Sequence, residues 1–353
     1  MKTPPSVRQL TLAEFERWDQ LTVLAPEGSI YQTTPYLSAL CEATGGRFRV
    51  LGAFQGDELL GGAALYEESS PWGTVVSPRL LLYYNGLVLR PRESPNPARR
   101  ASRQLEVQRA LEAALRVMSY DRLCLKCRSP LQDLRVFQQN GWKATPTYTY
   151  VVPLGEIPAL WQRVDQNLRR LVTRCEKEAV TFTEDDDFES FYRMHLDVHQ
   201  RKGAPLYLQK PQFERYFRQL RSAGLCRLYQ ARLPSGQSIA AQLVLTGEHP
   251  VSHTVCAASD GEFLSMGASA FLRWKSFEAL AALGYAANDL TDAALNPVSR
   301  FKSQLGADLE LCMQIARPDS ARLRLRDGLA GVKRLAATLR QLPRRRRSDS
   351  PDP

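Results

Sequence analysis

Asp289, Asp292 and Lys302 stand at the ends of neighbouring elements within the stretch Gly284–Glu310, and their types suit two chemical tasks. A carboxylate in such a place orients or removes a proton, and an ammonium faces developing negative charge or a phosphate. The surrounding pattern brings them near one another. An amphipathic helix ends at Gly284, a short strand runs into Asn288-Asp289-Leu290, and a turn at Asn296-Pro297 opens a helix carrying Arg300-Phe301-Lys302. Strand ends that feed helices are where open α/β sheets gather their chemistry, and the first turn of a helix favours an anion.

A second cationic set lies on the segment 159–180. Leu160, Val164, Leu168, Leu171, Val172, Cys175 and Ala179 form an apolar stripe, while Arg163, Arg170, Arg174 and Lys177 recur at nearly helical period on another side. Four cations on one face can grip phosphate or diphosphate, or simply make a solvated surface. His195 and His199 are four residues apart, but no third ligand stands at matching spacing, so they read as surface histidines and no metal site is expected. The acidic run 184–187 is expected to cap a helix starting near Phe188.

The elements that must position these groups repeat. Gln55-Gly56-Asp57 joins two apolar runs as a hairpin, and Pro234-Ser235-Gly236 joins two more. After the first hairpin come a strand over 80–84, a helix with Val107, Leu111, Ala114, Leu115 and Met118 on one face, and a strand over 122–127. A short helix around 134–137, Gly141 and a strand over 147–152 complete the unit. After the second hairpin come a strand over 252–258, a helix striped by Ala270, Trp274, Phe277 and Ala281, the strand into Asp289, and a last strand ending at Ile315. Arg135-Val136-Phe137 before Gly141 matches Arg300-Phe301-Lys302 before Gly306 in place. The chain therefore reads as a duplicated α/β unit with a mixed, mostly antiparallel sheet flanked by helices. The junction falls near 154–158. At the N-terminus, residues 7–24 have helical spacing after Thr11, and Pro35 opens a helix running to Cys41.

Composition limits what this scaffold can be. The chain has 353 residues, with 44% hydrophobic and 24% charged, which suits two ordinary globular domains. Its net charge of +10 is uneven: residues 317–353 carry eleven Arg/Lys against four Asp, leaving about +3 for the body. A basic tail, not a nucleic-acid-binding body, produces the high pI. Leu325, Leu329, Val332, Ala336 and Leu339 stripe this tail among basic residues, so 321–347 fits an anionic membrane surface, each cation contributing about 1 kcal/mol, or packs on the body. Seven scattered cysteines fit a reducing compartment, and Cys124/Cys127 read as buried strand thiols. Neither a signal-peptide core nor a run long enough to span a membrane is present in the sequence, so a soluble, cytoplasmic protein is expected, peripheral at the inner membrane face if the tail binds there.

The order of several weak motifs resembles the Fem family of peptidoglycan bridge-forming aminoacyltransferases and their N-acyltransferase relatives. The matching stretches are Ile30–Leu37, Tyr83–Gly86, Asp133–Trp142 with Thr147–Leu154, Leu160–Val180, Ser238–Leu245, Asn288–Leu290 and Ser299–Glu310. The resemblance spans nearly all the chain to about residue 316. It implies two tandem GNAT-like domains, 1–154 and 155–316, the second holding the acyl donor and including the basic helix 159–180, with a basic helix and tail over 317–353. The Phe-Lys pair of the family falls on Phe301-Lys302, and its basic helix on Arg169–Cys175, with Thr173 where an arginine is usual and Arg170 and Arg174 able to compensate. Arg201-Lys202-Gly203 resembles the corner that borders the acceptor. Met266, Gly267, Ala268 and Ser269 open a helix where the donor's pyrophosphate would bind.

On this resemblance the expected activity is amide-forming acyl or aminoacyl transfer to a phosphorylated or lipid-linked envelope precursor. Asp289 or Asp292 serves the amine and Lys302 the oxyanion, with Phe301, Arg169, Arg170, Arg174, Lys177 and Arg201 binding substrate. No tightly bound cofactor is expected. Acyl-CoA or aminoacyl-tRNA is the co-substrate, although the long arm of tRNA-using members has no counterpart here. The alternative is a non-catalytic double-GNAT scaffold that binds a precursor or partner.

Overall fold

The computed structural model describes residues 4–91 and 94–329. The first half lays down β1 (Ser6–Gln9), α1 (Phe15–Leu24), α2 (Thr34–Thr44), β2 (Arg47–Gln55), β3 (Glu58–Ser70), β4 (Gly73–Val76) and β5 (Leu87–Leu89). It continues with α3 (Pro97–Val117), β6 (Arg122–Cys127), α4 (Arg135–Gln139) and β7 (Lys143–Pro153). The second half opens with α5 (Ile157–Arg163), α6 (Gln166–Lys177), β8 (Thr181–Glu184), α7 (Phe188–Lys202), α8 (Lys210–Ser222), β9 (Cys226–Arg232), β10 (Ser238–Leu245) and β11 (Val251–Ser259). It closes with α9 (Ala268–Ala282), β12 (Ala287–Asp289), α10 (Pro297–Ser303) and β13 (Asp308–Ala316).

Local chemistry sets many of these ends. Gly56-Asp57 closes the β2–β3 hairpin, where Gln55 faces Glu58, and Gly56 supplies the positive φ that such a turn requires. Pro35 lies in the first turn of α2, and Gly45 ends that helix in the left-handed region. The duplication is visible in the backbone. α4 and α10 are each followed by a left-handed glycine, Gly141 at φ +81 and Gly306 at φ +78, and then by a long strand, β7 or β13.

One sheet runs through both halves, in the order β1-β2-β3-β4-β6-β13-β7-β12-β11-β10-β9-β8, with β5 on the side of β3. It is antiparallel except for β4/β6 and β11/β12. The halves exchange strands at its centre. β13 inserts between β6 and β7 of the first half, and β7 in turn pairs with β12 of the second through Val151–Pro153. The cut at residue 154 thus separates two sequence copies but not two sheets. A buried aromatic cluster joins them further, including Tyr31, Tyr36 and Tyr84 from the first half and Phe188, Phe191 and Tyr216 from the second.

Three expectations are corrected here. Residues 80–84 are not a strand, because Leu81 takes φ +64 and Arg79 and Leu82 exchange backbone hydrogen bonds as a tight turn. The opening segment is not one helix: residues 6–9 pair with β2, and α1 starts only at Phe15 after a turn closed by Thr11 and Glu14. The basic segment is also two helices. Val164 becomes extended and the Asp165 carboxylate accepts from the Asn167 amide, which starts α6 afresh.

Residues 321–329 are helical. Arg122 pairs with Asp319 at 2.5 Å and Asp327 at 2.7 Å, and Leu323 is fully buried, so this start of the basic segment packs on the first half. The rest of the stripe expected over 321–347 lies outside the described residues.

Candidate active site

β12 ends at Asp289 in the middle of the joint sheet, and its carboxylate is 1% exposed. Tyr84 Oη donates to Oδ2 at 2.7 Å, while Thr149 Oγ1 and the Thr291 amide donate to Oδ1 at 2.6 and 2.7 Å. The His253 ring lies alongside, with Nδ1 3.6 Å from Oδ2. Burial pushes against ionisation of Asp289, yet the imidazole and these donors outweigh it and hold the carboxyl well below the usual carboxylate range. Burial lowers His253 below the usual imidazole range, against the pull of the neighbouring Asp289 carboxylate. The two side-chain donors, Tyr84 and Thr149, come from the first half and the acceptor from the second, so Asp289 bolts the two copies together, while the Thr291 amide positions the turn that follows.

That turn is strained. Thr291 and Asp292 both adopt left-handed backbone, φ +52 and +56, conformations that disfavour side chains with a Cβ. Lys302 holds it in place from α10. Its Nζ donates to the carbonyl of Thr291 and, at 2.8 Å, to that of Asp292. Lys302 is 9% exposed, and burial, reinforced by the positive field of Arg273, lowers its ammonium to about 8. The Asp292 side chain projects to solvent beside it.

A cleft opens where two strands part. β11 and β12 pair only over Val251–His253 and Ala287–Asp289, and beyond them β11 runs on to Ser259 while the other chain turns away. The resulting cavity of about 370 Å³ is lined by Ala257, Ala258 and Ser259 of β11, Ser269 and Arg273 of α9, Val298 and Phe301 of α10, and Arg201 of α7 among others. Phe301, Ser269 and Arg201 thus meet at one cavity, whereas Lys302, the next residue after Phe301, is not among its lining residues and points its Nζ at the turn carbonyls. Arg201 Nη2 donates to the Ser259 carbonyl at 3.0 Å, fixing it at the exposed rim.

The segment Met266–Ser269 forms the entry to α9. Gly267 caps the helix at φ +93, and its amide donates to the Leu264 carbonyl. The Met266 carbonyl accepts from Cys175 Sγ of α6, Ala268 is buried, and Ser269 Oγ lies 2.6 Å from Ser259 Oγ. A Cβ on Gly267 would come within 2.6 Å of the Leu171 side chain, so Gly267→Ala should lower stability by about 1–3 kcal/mol in urea denaturation, from strain and overpacking together.

The basic helix faces elsewhere. Arg169, Arg170, Arg174 and Lys177 line a shallow depression with Trp161 and Thr173, and this shares no lining residue with the cleft. Several cations have local partners: Arg174 pairs with Glu178, Arg169 donates to Gln162, and Arg163 pairs with Asp308. His195 is not a surface histidine. It is buried against Phe191 and Phe213 and lowered to about 4 by burial, while His199 lies 4.4 Å away, ring to ring. Cys124 and Cys127 are buried in β6.

Sequence reasoning did not single out Tyr84, Thr149, His253 or Arg273 as site residues. Tyr84 and His253 stand as polar aromatics in otherwise apolar runs, but only the tertiary contacts bring them to Asp289: His253 through the β11–β12 pairing and Tyr84 from the first half.

Residues 162–303 match the acetyltransferase (GNAT) domain family. No curated protein matches the chain. Among solved structures it is similar to FemX, at 14% identity and TM-score 0.67, over 87% of this chain and 96% of that one. It is also similar to the C-terminal domain of a putative lysylphosphatidylglycerol synthetase from Agrobacterium fabrum, at 13% identity and TM-score 0.54, over 90% and 97%. A tandem GNAT protein from the clavulanic acid biosynthesis pathway matches at 14% identity and TM-score 0.52, over 90% and 100%. At these identities the likeness concerns the fold.

Proposed function

We propose that this chain, which has the Fem-like double-GNAT fold, transfers an acyl or aminoacyl group to an amine and forms an amide. The observation that carries this reading is the arrangement of Lys302: a buried ammonium lowered to about 8 and anchored by two turn carbonyls, on the same short helix whose neighbouring Phe301 lines the cleft. The amine nitrogen attacks the acyl carbonyl, a C–N bond forms, and the carbonyl oxygen gains negative charge. Lys302 has an N–H left beyond its two carbonyl partners to offer that oxygen. Asp289 has no such freedom, since its oxygens are committed to Tyr84, Thr149 and Thr291. Its role is to hold the turn, and solvent-facing Asp292 is the carboxylate placed to accept the proton the amine loses. The C–S or C–O bond of the donor then breaks, and the leaving group takes up a proton.

The donor enters past Met266–Ser269, and acyl-CoA suits an acetyltransferase-type domain better than aminoacyl-tRNA does. The acceptor is a phosphorylated or lipid-linked envelope precursor. The name of the lysylphosphatidylglycerol synthetase supports an envelope setting, and Arg170 and Lys177 on the basic helix, away from the cleft, would meet its phosphates. The basic segment beginning at 321 would bring the protein to the inner membrane face.

Thermal shift with acetyl-CoA, aminoacyl-tRNA and UDP-linked sugars tests the reading, because a ligand at one hundred times its Kd adds about 2.7 kcal/mol of stability. Stabilisation by acyl-CoA together with amide product, lost in Lys302→Ala, is the expected result. Stabilisation without product and indifferent to Lys302→Ala would instead describe a binding scaffold.

A further inference from the structure

Arg273 is a cation without a counter-charge. It sits on α9 between the buried Leu272 and Trp274, and its Nη1 is sealed from solvent with no hydrogen-bond partner. Among the described residues it makes no ion pair. Its neighbours offer none: Cys256 is a thiol pushed up to about 12 by burial, and therefore neutral, while Asp289 is already surrounded by donors. The groups around it bring no negative charge: Ala257, Ala258, Val298 and Phe301 are on the walls with the paired hydroxyls of Ser259 and Ser269, Arg201 is at the rim, and Lys302 is near enough to feel its charge. Arg273 is partly exposed as a residue, but its Nη1 is shut off from water without a partner, which is costly, and a second cation nearby adds repulsion. Such an arrangement is stable in use when the ligand brings the missing anion.

We infer that Arg273 forms a carboxylate-binding subsite inside the cleft, so that the substrate carries a carboxylate close to the bond being made. The planar guanidinium matches a carboxylate with two parallel hydrogen bonds, whereas the exposed Arg201 at the rim is where a phosphate still carrying its water would meet the protein. The carboxylate belongs either to the acyl group, as in a dicarboxylic acyl thioester, or to the acceptor, as in an amino acid. The choice between these sources rests on the acyltransferase reading. The anion site itself does not.

The test uses the full chain and Arg273→Met. Sodium succinate, compared with sodium chloride at equal ionic strength, should raise the thermal midpoint of the wild type but not of the variant. The ligand-free variant should itself melt higher than the ligand-free wild type, since an uncompensated cation has been removed. If the variant does not fold, Arg273→Gln serves in its place. Calorimetric titration then separates the sources. Succinyl-CoA binding at least tenfold tighter than acetyl-CoA, with the preference erased in the variant, places the carboxylate on the donor. Equal binding of the two, with a preference for free amino acids over their amides that Arg273→Met erases, places it on the acceptor. No succinate-specific shift in the wild type, or an equal shift in both proteins, overturns the subsite. Failure of every thioester to bind, with the succinate shift intact, would count against the acyl-CoA donor alone.

Discussion

Replacing Lys302 with alanine should reduce the rate of acyl transfer by about 10²–10³-fold, the range seen when one donor to an oxyanion is deleted. The loss should fall mainly on kcat, because the charge on the acyl oxygen exists only in the transition state. Lys302→Arg should not restore it, since a fork with a different reach cannot cap the Thr291 and Asp292 carbonyls and face the cleft together. The same residue leaves a signature in stability. Its ammonium is lowered from the ordinary lysine value of 10.5 to about 8, chiefly by burial. Between those pH values the unfolded chain binds a proton that the folded chain has released, so folding gains from rising pH across that window. Below pH 8 both forms are protonated and the full penalty of burying the charge is present. The stability of the wild type relative to Lys302→Met should therefore rise by up to about 3 kcal/mol between pH 7 and 10.5, measured by urea denaturation. A flat difference would mean that Lys302 is not buried as a cation.

Asp289→Ala is expected to cost about 3–5 kcal/mol, because it strands Tyr84 Oη, Thr149 Oγ1 and the Thr291 amide in a dry interior at once. The effect should exceed that of an ordinary buried polar deletion, since the Tyr84 and Thr149 donors link the first half to the second. Asp289→Asn keeps one acceptor oxygen and should lose less. The acid limb separates charge from shape. Because the carboxyl is held well below its usual range, its contribution is complete above the unfolded value of about 4 and disappears only as pH falls towards the lower folded one. Wild type and Asp289→Asn should thus converge in stability on acidification below about pH 4. If they stay equally far apart, hydrogen-bond geometry rather than charge is what Asp289 supplies.

The cleft itself was partly legible. The turn at Asn296-Pro297 and the helix bearing Phe301-Lys302 are written in local residue chemistry, as Pro297 starts α10 and Asn296 caps it by accepting from the Ser299 amide. Lys302 could be placed near the end of β12 because only seven residues lie between Asp289 and Pro297. The role of Asp289 could not be foreseen. A strand-end aspartate looks the same in sequence whether it faces solvent or receives three donors from chain segments up to 205 residues away. Arg273 was passed over for a related reason: on a helix striped by apolar residues an arginine reads as the solvent side, and only the packing of α10 and β11 around it seals Nη1.

What the chain determined by itself is whatever depends on near neighbours: the two copies of the hairpin and of the helix–glycine–strand unit, the caps, and the basic character of the C-terminal segment. Turn chemistry, periodicity and charge act over a few residues, so they can be read along a line. Tertiary structure decided which strands lie side by side. The pairing of β12 with β7 sets Thr149 against Asp289, and the parting of β11 from β12 opens the cleft. Those pairings are set by long-range burial and hydrogen-bond satisfaction, and many apolar strands of similar composition could satisfy them in the abstract.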